Sequence, residues 1–165
     1  MKPIVTNIII SALKGEAGSN PEIHSIFPYD NGILKENIIQ YTLPTGARST
    51  DFFDTKHNDQ DLLVFVSELK CNESRNGVVS ISFLLNDNAE KNAIKSVLKR
   101  IFSEFHMDKM EKIQDIANLA KIFYTSLNSK QNFQFNGYVF DIQGYLNSIG
   151  LSIEKQVRKV KGGLF

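Results

Sequence analysis

Between Asp61 and Asn128 the chain carries two strand-like runs joined by a short polar turn, followed by two amphipathic helices back to back. No other feature restricts the fold as strongly. Leu62, Leu63, Val64, Phe65 and Val66 form a continuous apolar run, and Ser67-Glu68-Leu69-Lys70 then alternates. Asn72 to Gly77 reads as a turn whose Asn-Gly pair favours hairpin geometry. Val78 to Leu85 is the partner strand. Val79, Ile81, Phe83 and Leu85 mark one face, and Val78, Leu84 and the small Ser80 and Ser82 mark the other. A strand that is apolar on both faces belongs in the middle of a sheet, covered by helices on at least one side.

The first long helix is expected from about Asn88, with Asp87 and Glu90 as a capping box. Ile94, Val97, Leu98, Ile101, Phe102 and Phe105 recur at helical spacing, while Lys91, Lys95, Lys99 and Arg100 fall mainly on the opposite face. His106-Met107-Asp108 breaks the pattern. Asp108 with Glu111 repeats the capping signal for a second helix to about Asn128, with a face of Met110, Ile113, Ala117, Ala120, Tyr124 and Leu127. Ile116, Leu119 and Phe123 widen that stripe, so this helix is expected to be buried on more than one side.

Upstream, Ile4 to Leu13 and Glu22 to Phe27 read as a hairpin across the loop Gly15 to Pro21. Ile33 to Leu43 fits a short helix or turn that becomes extended before Pro44. Thr45 to Arg48 is a tight turn, and Phe52 and Phe53 read as anchors of a loop on the core. Downstream, Phe133, Phe135, Tyr138, Phe140 and Ile142 include a period-two stretch that fits an edge strand. Tyr145, Leu146 and Ile149 fit a helix start, and Ser152 to Lys161 fits a short basic helix before Gly162-Gly163. The organisation is a core over residues 1–128 and a C-terminal extension over residues 129–165 that packs on it and ends in a basic tail.

With 165 residues the chain is long enough to bury a core without disulfides or metal. The single Cys71 cannot form an internal disulfide, which fits a reducing, cytoplasmic setting. The apolar start around Ile4 and Ile8 is too short for a membrane span and lacks a signal-cleavage pattern. Charge is uneven: residues 1–88 hold seven basic and eleven acidic side chains, and residues 89–165 hold twelve and seven.

The chemistry-bearing motifs are sparse. Gly15 and Gly18 lack the Lys-Ser or Lys-Thr of a phosphate loop. His24, His57 and His106 lie far apart and have no cysteine at zinc spacing. His57 with Asp54, Asp59 and Asp61 is a cation candidate whose plainer reading is a solvated loop. The aromatic cluster of Phe133, Phe135, Tyr138, Phe140 and Tyr145 has Asn, Gln and Asp neighbours instead of the basic ones that nucleic-acid binding wants, so burial is the better reading. Neither a catalytic residue nor a cofactor is expected. The tail residues Lys155, Arg158, Lys159 and Lys161, with Leu164 and Phe165, are the candidate contact with a partner or an anionic membrane. Four basic side chains without a lipid would bind a membrane only weakly.

The segment order resembles a longin domain of the DENN-module type. The stretch IVTNIIISALKGEAGSNPEIHSIFPYD resembles the opening hairpin of those domains, ending in the aromatic-proline pair Phe27-Pro28. IIQYTLPTGARSTDFF resembles their F-x-L-P-x-G word through Leu43-Pro44-Thr45-Gly46, and NGVVSISFLLNDNAEKNAIKSVLKRIFSEF resembles the strand-to-helix unit that follows. The likeness covers residues 4–128. It implies a longin/profilin-like α-β-α sandwich of the α+β class, with a central antiparallel sheet flanked by helices. It also implies a non-catalytic scaffold in small-GTPase regulation or membrane trafficking. Full DENN proteins continue into two larger segments, so the expectation here is a stand-alone longin domain without transferred exchange activity. Its expected partners are a small GTPase or a trafficking-complex subunit, a second copy in a homodimer, and weakly a membrane surface, but not nucleic acid. A small-ligand sensor or cryptic enzyme on a profilin-like fold is the alternative, and a module inhibited by its own tail is a third reading.

Overall fold

The computed structural model describes residues 3–14, 19–33, 35–48, 52–69, 76–87, 89–105 and 112–148. Its elements in chain order are β1 (Val5–Leu13), β2 (Glu22–Phe27), α1 (Lys35–Thr42), β3 (Phe52–His57), β4 (Gln60–Leu69) and β5 (Gly77–Leu85). They are followed by α2 (Lys91–Glu104), α3 (Ile113–Ser129), β6 (Phe133–Phe135), β7 (Tyr138–Phe140) and α4 (Ile142–Ser148). Five strands form one antiparallel sheet in the order β2-β1-β5-β4-β3, and β6 and β7 form a separate small hairpin. The doubly apolar β5 takes the central place, as its sequence requires.

The strand period sorts side chains to two faces. On one face Val79, Ile81, Phe83 and Leu85 of β5 and Leu63 of β4 join Val5, Ile8 and Ile10 of β1. A register shift between Val5 and Asn7 puts Val5 on the same side as the even-numbered isoleucines. This face is covered by Ile94, Val97, Leu98, Ile101 and Phe102 of α2 and by Ile116, Leu119, Ala120, Phe123 and Leu127 of α3. On the other face Ile9 packs with Ile26 and Ile38, and Leu62, Val64, Val66 and Leu84 pack with Leu43. Among the described residues, α1 is the helix that covers this side. Small side chains lie beneath it: Ser80 and Ser82 are fully buried, and the Ser11 hydroxyl meets that of Thr42 at 2.7 Å. The fold is therefore an α+β sandwich with helices on both sides of an antiparallel sheet.

The structure corrects several sequence-based expectations. Phe52 and Phe53 begin a strand, β3, instead of anchoring a loop; Phe52 to His57 pairs residue for residue with Phe65 to Gln60. Its turn is Asn58-Asp59, where both φ angles are positive (51° and 63°), the sign a type I′ turn needs at its two central positions. Asn76-Gly77 is not a turn of that kind, because Gly77 already pairs with Leu69 as the first residue of β5. The left-handed Asn-Gly turn is Asn136-Gly137 (φ 49° and 78°), which closes β6 on β7. Those strands form their own hairpin instead of an edge strand of the main sheet.

The first long helix starts three residues later than expected. The Asn86 N–H is still bonded to the Ile4 carbonyl at 2.9 Å, and the Ala89 N–H bonds to the Asn86 carbonyl at 2.9 Å. The chain thus leaves the sheet through a turn. Glu90 becomes an extended N-cap with no side-chain capping bond, so the Asp87–Glu90 capping box does not form. The second proposed box, Asp108 with Glu111, lies outside the described residues, as do Cys71, His106 and Ile149; α3 is described from an extended Lys112 onward.

The C-terminal elements share the main core. Phe140, Ile142 and Leu146 belong to the same buried cluster as α2 and α3. The Phe140 ring lies 4.4 Å from Phe133, 5.0 Å from Phe105 and 5.2 Å from Phe123. This explains the wide apolar stripe of α3, which meets the sheet on one side and the β6–β7 hairpin on another.

Candidate interaction surface at the β3 edge

The sheet has two edges, and they differ. At β2 the pairing with β1 shifts register between Ile10 and Ser11, and a bulge of this kind blunts an edge. Phe27 of β2 meets Tyr124 of α3 edge-on at 5.4 Å, with the Lys121 ammonium 5.8 Å from its ring. At β3 the register with β4 runs without interruption over six residues. Among the described residues no strand pairs with the outer side of β3.

The two faces of β3 carry different chemistry. Phe52, Asp54 and Lys56 lie opposite Phe65, Leu63 and Asp61, and so share the α2 side. There the lysines of α2, spaced by four residues, line up along the strand. Lys95 Nζ donates to Asp54 Oδ2 at 3.0 Å, Lys91 Nζ lies 3.9 Å from the same oxygen, and Lys99 Nζ lies 5.8 Å from the centre of the Phe52 ring. The Lys95 hydrogen bond holds the Asp54 carboxyl below the usual carboxylate range, with further help from both ammonium charges and against a smaller effect of burial. The sequence placed these lysines on a solvated helix face; the structure sets them along a strand.

Asp54 thus contributes stability above the ordinary carboxylate pKa and loses it as the pH falls through its lower folded-state value. The group is a third exposed, so the contribution is small, under about 1 kcal/mol. Asp54→Asn is expected to cost that amount at neutral pH and nothing once Asp54 is protonated in the folded and unfolded states alike. Denaturation curves of the two proteins should therefore converge on acidification; a gap that persists at low pH would exclude the ionic origin.

Phe53, Thr55 and His57 face the α1 side. A cleft of about 260 Å³ opens at this end of the hairpin, lined by Gly32, Asn37, Gln40, Tyr41, His57 and Asn58. The Tyr41 and His57 rings meet edge-on at 5.3 Å. The cation candidate is not assembled: His57 and Asp54 point to opposite faces of β3, and Asp59 sits in the turn. Among the described residues no three His, Cys, Asp or Glu side chains gather as metal ligands.

A second polar cluster fixes the C-terminal elements to α2. Tyr138 Oη donates to Glu104 Oε2 at 3.1 Å, and Tyr145 Oη donates to the same oxygen. The Arg100 guanidinium lies over the Tyr145 ring at 5.0 Å and 3.8 Å from Glu104 Oε1. The Tyr145 and Tyr138 hydroxyls hold the Glu104 carboxyl low. Burial and the Glu104 carboxylate push both phenols above their ordinary range. Glu104→Gln removes the negative charge, so Tyr138 and Tyr145 are expected to ionise at lower pH than in the wild type. Ultraviolet phenolate titration reads this directly, and superimposable curves would dissolve the cluster.

The tail residues Lys155, Arg158, Lys159, Lys161, Leu164 and Phe165 lie outside the described residues. As sequence alone, β3 reads as a loop anchored by Phe52 and Phe53. The usable signal was the alternation of Phe53, Thr55 and His57 before Asn58-Asp59, two residue types that tolerate the left-handed turn conformation. No described helix is long and apolar enough to cross a membrane. Neither a protein-family model nor a curated protein matches this chain.

Proposed function

We propose that the chain is a non-catalytic, longin-like protein-interaction scaffold that works with a small GTPase or a membrane-traffic assembly in the cytoplasm. The observation that carries this reading is the β3 edge, which no described strand pairs, flanked by a lysine row on one side and a polar cleft on the other. An unpaired edge presents main-chain donors and acceptors to an incoming segment, while pockets beside it select side chains. The element order supports the longin part. A hairpin, a short helix, further antiparallel strands and two packed helices follow one another, with helices on both faces of the sheet. The tail from Lys155 to Phe165 is the proposed weak contact with an anionic membrane.

The test is binding to a panel of small GTPases, each loaded with GDP or with a non-hydrolysable GTP analogue, by biolayer interferometry. Saturable binding that prefers one nucleotide state supports the reading. No binding across the panel in either state removes the GTPase part.

The cleft favours one second reading, a small-ligand sensor. Its lining offers the amides of Asn37, Gln40 and Asn58, the Tyr41 phenol and the His57 imidazole, and among the described residues includes no carboxylate. Such a set suits hydrogen bonding to a neutral polar ligand better than paired acid–base chemistry.

A further inference from the structure

We infer that the outer edge of β3 accepts an extended acidic strand from a partner protein, with alternate carboxylates seated against Lys56, Lys91, Lys95 and Lys99. This rests on the protein-interaction reading and gives the partner segment its chemistry. The backbone argument starts at the turn. His57 lies opposite Gln60 across the two-residue connection Asn58-Asp59. The pair that closes a two-residue hairpin is hydrogen-bonded, and hydrogen-bonded pairs alternate along an antiparallel ladder. His57, Thr55 and Phe53 therefore direct their N–H and C=O groups at β4. Phe52, Asp54 and Lys56 direct theirs outward, where no described strand meets them.

The side chains decide which strand fits. An added strand places every second side chain on the α2 face, beside Phe52, Asp54 and Lys56, within the reach of cross-strand neighbours. That face carries four ammonium groups, on Lys56, Lys91, Lys95 and Lys99, against the carboxylates of Asp54 and Asp61. Asp61, opposite Lys56, offsets part of that charge, and two carboxylates against four ammonium groups leave a surplus. The excess is positive, and it lies in one row beside the open backbone groups. Carboxylates at alternate positions of the incoming strand would meet it, and lysines there would be repelled.

A second copy of this chain fits the same edge poorly. Two copies joined edge to edge around a two-fold axis form one continuous sheet, with both α2 helices on the same side. The two lysine rows would then face each other across the junction. Like charges held in register suppress a wrong partner, and here the partner suppressed is the chain itself. On the opposite face, positions near the turn would lie beside the Asn37–Tyr41–His57 cleft, which suits a neutral polar side chain.

The probe is a fluorescein-labelled peptide of alternating valine and glutamate, compared with its valine-lysine counterpart, on the full chain. The glutamate peptide is expected to bind with an affinity that falls as salt rises, and to shift the amide resonances of Phe52, Asp54 and Lys56. Lys56→Pro removes one outward N–H, a change tolerated on an edge strand, and is expected to weaken binding at least tenfold. The double change Lys91→Glu with Lys99→Glu should do the same and should raise affinity for the lysine peptide; circular dichroism confirms that each variant is folded. Equal binding of both peptides, no binding of the glutamate peptide, or amide shifts confined to other strands would overturn the proposal. So would a dimer in light scattering that Lys56→Pro turns into a monomer, since the edge would then belong to a second copy. GTPase binding that survives Lys56→Pro, with no peptide bound, would overturn this site and leave the scaffold reading standing. Peptide binding without any GTPase would do the reverse.

Discussion

Phe140→Ala is expected to lower the unfolding free energy by about 3–5 kcal/mol, the range for truncating a fully buried phenylalanine. Phe140 has no exposed surface. Its ring stacks on Phe133 at 4.4 Å and 12°, and meets Tyr138 at 4.6 Å, Phe105 at 5.0 Å and Phe123 at 5.2 Å. Those partners belong to β6, β7, the end of α2 and the middle of α3, so relaxation of one element cannot fill the cavity. Urea denaturation should show the loss as a lower midpoint with an unchanged slope, because the hairpin and the sheet would still unfold together. A loss below about 1 kcal/mol, or a second transition, would mean that residues 133–148 form a separate unit docked on the sandwich.

The same residues show what was legible in the sequence. The Phe-rich stretch reads as buried, since its neighbours are polar amides instead of cations, and the rings do pack into the core. Its partner was not legible. The choice between an edge strand of the main sheet and a private hairpin depends on whether Asn136-Gly137 closes a turn, as Asn76-Gly77 is also expected to do. Both dipeptides carry the turn signal. Only the first has the chain reversing at that point, because Gly77 is drawn into the ladder opposite Leu69. Local chemistry proposes a turn, and the pairing partners on either side decide whether it forms.

The central sheet and its two long helices were legible because their signal is repeated. Five consecutive apolar residues in β4 and the i, i+3, i+4 spacing in α2 each leave one arrangement that buries them. β3 offered no such redundancy. Four of its six residues, Asp54, Thr55, Lys56 and His57, are polar, and it lies at an edge where no described strand pairs with its outer side. What makes it a candidate site is what hid it: a strand at a sheet edge lacks the dense apolar pattern of a strand covered on both sides. The lysine row was visible as helical spacing, but its relation to β3 is a tertiary fact. Without the strand, lysines opposite an apolar stripe read as a solvated face.

Asn128→Ala is the second large effect, about 2–4 kcal/mol. Near the end of α3 the Asn128 side chain substitutes for a missing strand. Val5 N–H donates to Asn128 Oδ1 at 2.9 Å, and Asn128 Nδ2 donates to the Val5 carbonyl at 2.9 Å. Val5 has no exposed surface, and β1 shifts register against β5 just beyond it. Removing the amide leaves a donor and an acceptor stranded together, each at about 1–3 kcal/mol when buried. Asn128 itself is only half-buried, and water reaching from its side keeps the total below the sum of the two maxima. Asn128→Asp separates the two bonds. Its carboxylate still accepts from the Val5 N–H but faces the Val5 carbonyl with a second acceptor, so the cost at neutral pH should approach that of alanine. Protonation gives the carboxyl a hydrogen to donate, so this variant should recover part of the loss as the pH falls through the carboxylate range, while the alanine variant should not. Hydrogen exchange at the Val5 amide supplies the local readout. Fast exchange of the Val5 amide in the alanine variant, with protection kept in the aspartate variant whose stability recovers only in acid, assigns the effect to these two bonds. An alanine variant that keeps both its stability and a slow Val5 amide would show that α3 is fastened to β1 by packing alone.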